Sequence, residues 1–239
     1  MRKLIASLYK PHSRAKLAYP LPFPTGRGRG GLSFPLGVAV IGFLFLTLAC
    51  SEEEAEASEW DNWQQRNETF FATLADSLKA QPAQWVRLKK FSLDPSVEGN
   101  ATDYVYAKVI EQGTGTESPA YTDSVRVIYQ GRLIPSVTYP QGYLFDKGSV
   151  YGDFSSKTSA TRKMYVASMT DGFATALQHM HRGDRWRLYV PSDLAYGDND
   201  YVDNGVLIVP GHSVLIFDLM LIDFSPAGEA MSPWSSRQR

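Results

Sequence analysis

Five stretches in which apolar and polar residues alternate follow one another in the second half of the chain, and they restrict the fold more than any other feature. An alternation with a period of two is typical of β-strands that bury one face. The stretches are Tyr104–Gly113, Asp123–Leu133, Arg162–Met169, Asp184–Pro191 and Ser213–Phe224. Because half-buried strands of this kind favour antiparallel pairing, we expect a largely antiparallel sheet.

A single helical segment lies between the third and the fourth predicted strand. It begins at Asp171, a residue type that caps helix N-termini, and closes at Gly183, which leaves room for a helix of about ten residues. Phe173, Leu177 and Met180 fall on one face of that helix. Strands with one short helix predict an α+β domain over residues 103–224, in which a curved antiparallel sheet wraps around the helix.

A longer amphipathic helix precedes the sheet. Its apolar residues recur at spacings of three, four and seven over about 20 residues and stop before Gln81 and Pro82. These residues are Trp60, Trp63, Phe70, Phe71, Leu74 and Leu78. The apolar stripe packs either on the following domain, which we favour, or on a second copy of itself, which would make a homodimer. Residues 60–102 are thus predicted as a helical extension with a polar connector over 88–102, and the aperiodic residues 225–239 as a disordered tail.

Charge is distributed unevenly along the chain. Residues 1–51 carry seven basic and no acidic residues, whereas the remainder carries 17 basic and 25 acidic residues, a net charge of −8. Phosphate binding requires clustered cations, so the acidic main body argues against a nucleic-acid partner.

An uncharged apolar run, LGVAVIGFLFLTLA over residues 36–49, ends directly before Cys50, the only cysteine in the chain. About 14 apolar residues suit the hydrophobic region of a signal peptide better than a bilayer span, which needs about 20. The segment 46–50, LTLAC, resembles the lipobox of bacterial lipoproteins. That resemblance implies a signal peptide over residues 1–49 and lipidation of Cys50. An uncleaved N-terminal anchor is the alternative.

Residues 50–59 include the run SEEEAEASE, which predicts an extended acidic tether because like charges repel. The same run resembles the export tag of surface lipoproteins in the Bacteroidetes. Taken with the lipobox, it implies a protein of the bacterial cell envelope that is lipid-anchored at the outer membrane.

An ordered series of motifs over about residues 103–223 resembles the FKBP family of peptidyl-prolyl isomerases, the macrolide-binding immunophilins. The motifs, in chain order, are KVIEQGTG, VRVIYQGRL, YLFDKG, DGFATALQHMHRGDRWRLYVPSDLAYG and LIVPGHSVLIFDLMLIDF. The segment GRLIPSVTYPQGYLFD is longer than the usual bend of the family and resembles the variant found in envelope lipoproteins of the Bacteroidetes. The resemblance implies a prolyl isomerase fold and activity, with no cofactor and no metal.

The resemblance also implies the residues of the site. The substrate-binding residues would be Tyr129, Phe145, Met169, Phe173, Ile208, Val209 and Phe217. Phe173 stands where the family usually has a tryptophan at the pocket floor. Tyr196 would donate its hydroxyl to a substrate carbonyl, and the backbone N–H of Thr170 would donate to the carbonyl next to the proline. Asp146 would complete the catalytic set beside the proline carbonyl carbon.

The sequence departs from the family at one wall of the expected pocket. Two positions that are aromatic in the family fall near Arg162 and Met164 here. We therefore expect a more open or more polar wall, with lower catalytic efficiency and lower macrolide affinity. Tyrosines of the lengthened bend, at positions 139, 143 and 151, are candidates to replace the missing ring.

Two functions follow from this pattern. The first is an isomerase that assists the folding of envelope proteins by rotating X–Pro bonds, with proline-containing polypeptides as substrates. The second is a catalytically weak FKBP-like binding or chaperone module on a lipoprotein anchor. His179, His181 and His212 lack the spacing of a metal site, so a metal-dependent function is not favoured.

Overall fold

The computed structural model describes residues 58–233, without the side chains of Ala75 and Lys79. The predicted signal peptide (1–49), the lipidation site at Cys50, residues 50–57 of the predicted tether and the end of the predicted tail (234–239) lie outside the described residues.

The fold is α+β, as predicted. Seven antiparallel strands form a sheet in the order β1-β2-β6-β9-β3-β4, and β5 also pairs with β3. The strands of the sheet are β1 (Trp85–Lys89), β2 (Tyr104–Glu111), β3 (Ser124–Arg132), β4 (Leu144–Asp146), β5 (Arg162–Tyr165), β6 (Arg185–Val190) and β9 (Leu215–Ser225). A separate two-stranded hairpin consists of β7 (Tyr201–Asp203) and β8 (Val206–Val209). All five predicted strands are present.

Helix α2 (Asp171–Leu177) packs on the sheet and is shorter than predicted, with seven residues. The predicted N-cap was wrong by one position: Thr170 is the N-cap, and Asp171 is the first helical residue. Phe173, Leu177 and Met180 are buried, as are the residues between Gly172 and Leu177. The helix is therefore enclosed on all sides rather than on one face. Gly172 permits this close approach, because a Cβ there would lie 2.3 Å from Val190 Cγ1.

Helix α1 (Trp63–Ala80) packs its apolar stripe on its own sheet. The Phe71 ring stacks on Tyr106 of β2 at 4.9 Å, and the Phe70 ring lies 6.1 Å from Tyr189 of β6. Trp63, Phe71 and Leu74 are buried in the same core cluster as the strands. The apolar stripe thus packs on its own domain, which was the favoured alternative. A dimer through this stripe would require α1 to leave its sheet.

Three elements were missed by the periodicity. Strand β1 covers the edge of β2 but buries only Leu88, so its alternation is too weak to stand out. Strand β4 has three residues, fewer than a pattern needs. The β7–β8 hairpin turns on Asn204 and Gly205, both with positive φ (49° and 78°). An Asn-Gly pair between two short apolar runs is a strong hairpin indicator, and it was available in the sequence.

Among the described residues, no helix is both long enough and apolar enough to span a membrane.

Candidate active site

Four aromatic rings from four different elements meet on one side of α2. Phe217 of β9 contacts Phe173 of α2 edge-to-face at 5.0 Å and Phe145 of β4 at 5.7 Å. Phe173 in turn contacts Tyr129 of β3 at 5.8 Å. Edge-to-face pairs at these distances are favourable arrangements for aromatic quadrupoles. The sheet and the helix therefore bring together four of the seven predicted substrate-binding residues.

The burial of these rings is graded. Phe173, Phe217 and Tyr129 are only 4%, 6% and 7% exposed, whereas Phe145 is half-buried and packs on the same core. Half-buried residues that also pack on this core include the predicted rim residues Met169 and Ile208, and Val209 is buried. The arrangement has a buried aromatic floor and a partly exposed apolar border, which suits an apolar substrate group.

Gly131 of β3 makes room for two of the rings. A Cβ at this position would lie 2.6 Å from Phe145 Cζ and 2.8 Å from Phe217 Cε1. Both distances are far below van der Waals contact, so any side chain here would displace the rings. Gly131 was not predicted as a site residue, although it belongs to the motif VRVIYQGRL.

Asp146 is held in place by two hydrogen bonds. The Tyr129 hydroxyl donates to Asp146 Oδ2 at 2.9 Å, and the backbone N–H of Gly148 donates to Oδ1 at 2.7 Å. Burial raises the pKa of Tyr129, and the neighbouring negative charge of Asp146 raises it further. Tyr129 therefore stays protonated and acts as a fixed donor to the carboxylate.

Arg162 lies at the wall where the family resemblance left a ring missing. Its Nε donates to the backbone oxygen of Gly148 at 3.1 Å, and its positive charge opposes the rise in the pKa of Tyr129. Met164, the second departure, is half-buried and packs on the core. The Arg162 guanidinium therefore lies near the Tyr129–Asp146 pair. Of the bend tyrosines, Tyr151 is 79% exposed and does not fill the gap.

Tyr196 sits on a short turn after β6. The backbone N–H of Gly197 donates to Ser192 O at 2.8 Å, and Gly197 has a φ of 68°, which favours glycine. The Tyr196 ring stacks on Tyr201 of β7 at 4.8 Å with an interplanar angle of 11°. No described residue shares a hydrogen bond with the Tyr196 hydroxyl. The hydroxyl is therefore available to an external acceptor.

The pKa of Tyr196 is raised to about 12, mainly by burial and further by the charges of Tyr201 and Asp146 when these are ionised. The influence of Asp146 places Tyr196 within electrostatic reach of the Tyr129–Asp146 pair. The hydroxyl thus remains a neutral donor at physiological pH.

Thr170 occupies the N-cap position of α2, three residues before Phe173. Its carbonyl accepts a hydrogen bond from the Ala174 N–H at 2.9 Å. Its own N–H finds no acceptor within residues 58–233. The first N–H groups of a helix lack partners inside the helix, so this donor is open to a ligand.

Tyr201 is a neighbour of the site that sequence reasoning missed. It became visible only once the Asn-Gly hairpin placed β7 against the Tyr196 turn. A cavity of about 190 Å³ lies away from the predicted residues, between α1 and the segment after β8. Within the described part of the chain, no three His, Cys, Asp or Glu residues are grouped as a metal site.

The free energy of unfolding is expected to fall as the pH rises from about 10 to about 12. The ordinary pKa of tyrosine is 10.0, and that of folded Tyr196 is about 12. Between these values the unfolded chain releases the proton first, so alkali favours unfolding. Denaturant titrations at several pH values would measure the slope. The Tyr196→Phe variant should have a shallower slope, and an unchanged slope would contradict the burial of this hydroxyl.

Comparison with known proteins identifies the domain that carries this site. Residues 115–222 match the family described as FKBP-type peptidyl-prolyl cis-trans isomerase. The chain is 38% identical over 120 residues to the macrophage infectivity potentiator of Trypanosoma cruzi. This alignment covers 50% of this chain and 53% of that protein. It is 32% identical over 142 residues to the FKBP-type peptidyl-prolyl cis-trans isomerase FkpA of Escherichia coli K12. This alignment covers 59% of this chain and 45% of that protein.

A third relative is the outer membrane protein MIP of Legionella longbeachae, 34% identical over 120 residues that cover 50% of this chain and 44% of that protein. The chain thus spans about half the length of the curated relatives that it matches. The matched region contains all four rings, Asp146, Thr170 and Tyr196. Over residues 115–222, this chain is therefore similar to the FKBP-type peptidyl-prolyl cis-trans isomerases.

Proposed function

We propose that this chain is a peptidyl-prolyl cis-trans isomerase that acts on proline-containing polypeptides. The observation that carries the proposal is the combination of a buried aromatic floor with two donors, the Tyr196 hydroxyl and the Thr170 N–H, that have no hydrogen-bond partner among residues 58–233. An apolar floor suits the proline ring, and free donors suit the carbonyls on either side of it.

The reaction needs neither covalent chemistry nor a metal. Rotation about an X–Pro bond has a barrier of about 18–20 kcal/mol, which comes from amide resonance. The twisted transition state has lost that delocalisation. A site that binds the twisted amide better than the planar one accelerates rotation, and about 4 kcal/mol of differential binding gives about a thousandfold.

Each part of the site contributes to that differential binding. The rings of Tyr129, Phe173 and Phe217 exclude water, which disfavours the charge-separated planar amide. Tyr196 donates to a substrate carbonyl, and the Thr170 N–H donates to the carbonyl next to the proline. We assign Asp146 a supporting position beside the proline carbonyl carbon, where it fixes Tyr129 through the 2.9 Å hydrogen bond.

The Tyr196→Phe variant is expected to lower kcat/KM by about tenfold, the scale of one hydrogen bond of about 1.4 kcal/mol. The ring and its stack on Tyr201 remain, so the fold should not change. The measurement is the relaxation rate of a proline tetrapeptide with the full chain. Tyr201→Phe is the matched control, since it removes the hydroxyl of the neighbouring ring and should leave kcat/KM within about twofold.

Equal losses in the two tyrosine variants would contradict the assignment of Tyr196 as the donor. A well-folded wild-type chain that gives no acceleration over buffer would contradict the isomerase itself.

The second candidate is a binding or chaperone module with little turnover. Arg162 favours it, because a guanidinium replaces an aromatic wall and leaves the border of the site more polar. The same substitution is expected to weaken macrolide binding at this site. Peptide binding that persists while isomerase activity is absent would favour this second function. Replacing Arg162 with phenylalanine should then raise both turnover and macrolide affinity.

We further propose that the chain is a lipid-anchored protein of the bacterial envelope, at the outer membrane, where it assists protein folding. The support is the apolar run that ends at Cys50 and the acidic residues that follow it. Metabolic labelling with palmitate is expected to mark the wild-type chain and to fail with Cys50→Ala. Equal labelling of both chains would contradict the anchor.

A further inference from the structure

We infer that helix α1 is a positioning element of the active site: Asn67 and Trp63 hold the segment 210–214, and this segment holds the Tyr196 turn. The inference builds on the proposed isomerase function. It assigns a role in the reaction to a helix that lies outside the matched family region.

Asn67 makes the first link. It lies in the second turn of α1, only 1% exposed, and both ends of its amide are paired. Its Nδ2 donates to Trp63 O at 2.8 Å, and its Oδ1 accepts from the backbone N–H of Val214 at 2.8 Å. A buried amide with both ends satisfied has one orientation, so it fixes Val214 relative to the helix.

Trp63 makes a second, parallel link one turn earlier on the helix. Its indole Nε1 donates to Ser213 Oγ at 2.8 Å, and that hydroxyl donates to Pro210 O at 2.6 Å. Both bonds are buried, where their loss would leave polar atoms without water. The helix is therefore hydrogen-bonded to the segment at two successive residues, Ser213 and Val214. Through the Ser213 hydroxyl it is also connected to Pro210, the first residue of the segment.

The segment in turn contacts residues 197 and 198, which belong to the turn that carries Tyr196. The His212 N–H donates to Gly197 O at 2.9 Å, and His212 Nδ1 lies 3.1 Å from Asp198 Oδ1. His212 has a φ of 59°, a left-handed conformation that a residue with a Cβ adopts only when its surroundings impose it. Gly211 packs so closely that a Cβ would lie 2.2 Å from Asp198 O.

The segment also follows directly after Ile208 and Val209, the predicted apolar border of the site. The restraint from α1 thus reaches both the turn that carries Tyr196 and the end of β8.

The packing between α1 and the segment 210–214 is incomplete. A cavity of about 190 Å³ lies between α1 and the segment, and its lining includes Asn67, Phe71, Ser192, His212 and Val214. The hydrogen bonds of Asn67 and Trp63 lie beside this space and add to the core packing that Trp63 and Phe71 share with Val214. Removing them frees the segment to move into the cavity.

A double-mutant cycle tests this inference. Asn67→Ala is expected to lower kcat/KM of the full chain by about tenfold when Tyr196 is present, and by less than about twofold in the Tyr196→Phe background. The control is Gln64→Ala on the exposed face of the same helix, where the side chain donates a hydrogen bond to Glu68. Gln64→Ala should leave kcat/KM unchanged both with Tyr196 and with Tyr196→Phe. Trp63→Phe keeps an aromatic ring and removes the indole N–H. It should lower kcat/KM in the same way as Asn67→Ala, but to a smaller extent.

Amide hydrogen exchange gives a readout that does not depend on turnover. Asn67→Ala should speed exchange at Gly197 and His212 while the centre of β9 stays protected. Equal losses of kcat/KM in both Tyr196 backgrounds, or unchanged exchange at these two amides, would overturn the inference. Absent activity in the wild-type chain would instead contradict the proposed function, and the exchange result would still decide whether α1 holds the turn.

Discussion

The Phe173→Ala variant is expected to lose about 3–5 kcal/mol of unfolding free energy, the usual cost of removing a buried phenylalanine ring, and to lose most of its isomerase activity. Phe173 is 4% exposed and contacts both Phe217 and Tyr129. Its removal leaves a cavity at the floor of the site and frees two neighbouring rings. Denaturant unfolding measures the first effect, and kcat/KM per folded molecule measures the second.

The matched control is Phe154→Ala. Phe154 lies outside the site, where it packs on the small cluster of Ile128, Val150 and Met220. Its loss should lower stability to a smaller degree and leave kcat/KM within about twofold, because no ring of the site changes position. If both variants retained full activity per folded molecule, Phe173 would be a structural residue only.

The Gly131→Ala variant is expected to lower the free energy of unfolding by about 1–3 kcal/mol through overpacking, and to lower kcat/KM by at least about tenfold. The new methyl group would lie 2.6 Å from Phe145 and 2.8 Å from Phe217. Because Gly131 is within strand β3, which is paired on both sides, the backbone has little freedom to yield. The rings must move instead, and the floor of the site is distorted.

A compensating variant separates this account from a general weakness of β3. Phe145→Leu removes the ring tip that the methyl group would strike, so the Gly131→Ala/Phe145→Leu double variant should regain stability relative to Gly131→Ala alone. Activity should stay low, since the ring of Phe145 is gone. Additive losses of stability in the double variant would contradict a steric conflict between these two positions.

The order of the strands along the chain was predictable because apolar and polar residues alternate along the long strands of the sequence. In the structure, β3 and β9 also bury residues of the other face, such as Ile128 and Met220. Short elements carry too few residues for a period to appear, which explains why β4 was missed. Helix α2 was predicted from Phe173, Leu177 and Met180, but its burial on all sides depends on what the sheet and Leu194 place around Gly172.

The candidate site was predictable only through the family resemblance. Alternation alone does not distinguish a ring that lines a site from a ring in the core, since Phe173 and Phe217 are as buried as ordinary core residues. The contacts between the rings, the space at Gly131 and the Tyr196–Tyr201 stack depend on residues far apart in the chain. No local pattern encodes them.

Helix α1 likewise makes contacts that its local sequence does not predict. The stripe of α1 predicted a buried face, and the structure places it on the chain's own sheet. The polar residues of that helix carried no such prediction. Asn67 looks like a surface residue in sequence, and only the position of Val214, 147 residues later, explains why it is buried.

The most direct test of the central claim is exchange between the cis and trans forms of a proline peptide at equilibrium, observed by two-dimensional NMR exchange spectroscopy. Uncatalysed isomerisation takes tens to hundreds of seconds, too slow for cis–trans cross-peaks. With a catalytic amount of the full chain, cross-peaks should appear, and they should weaken strongly with Phe173→Ala. Peptide signals that broaden or shift on binding while cross-peaks remain absent would contradict an isomerase and identify a binding module.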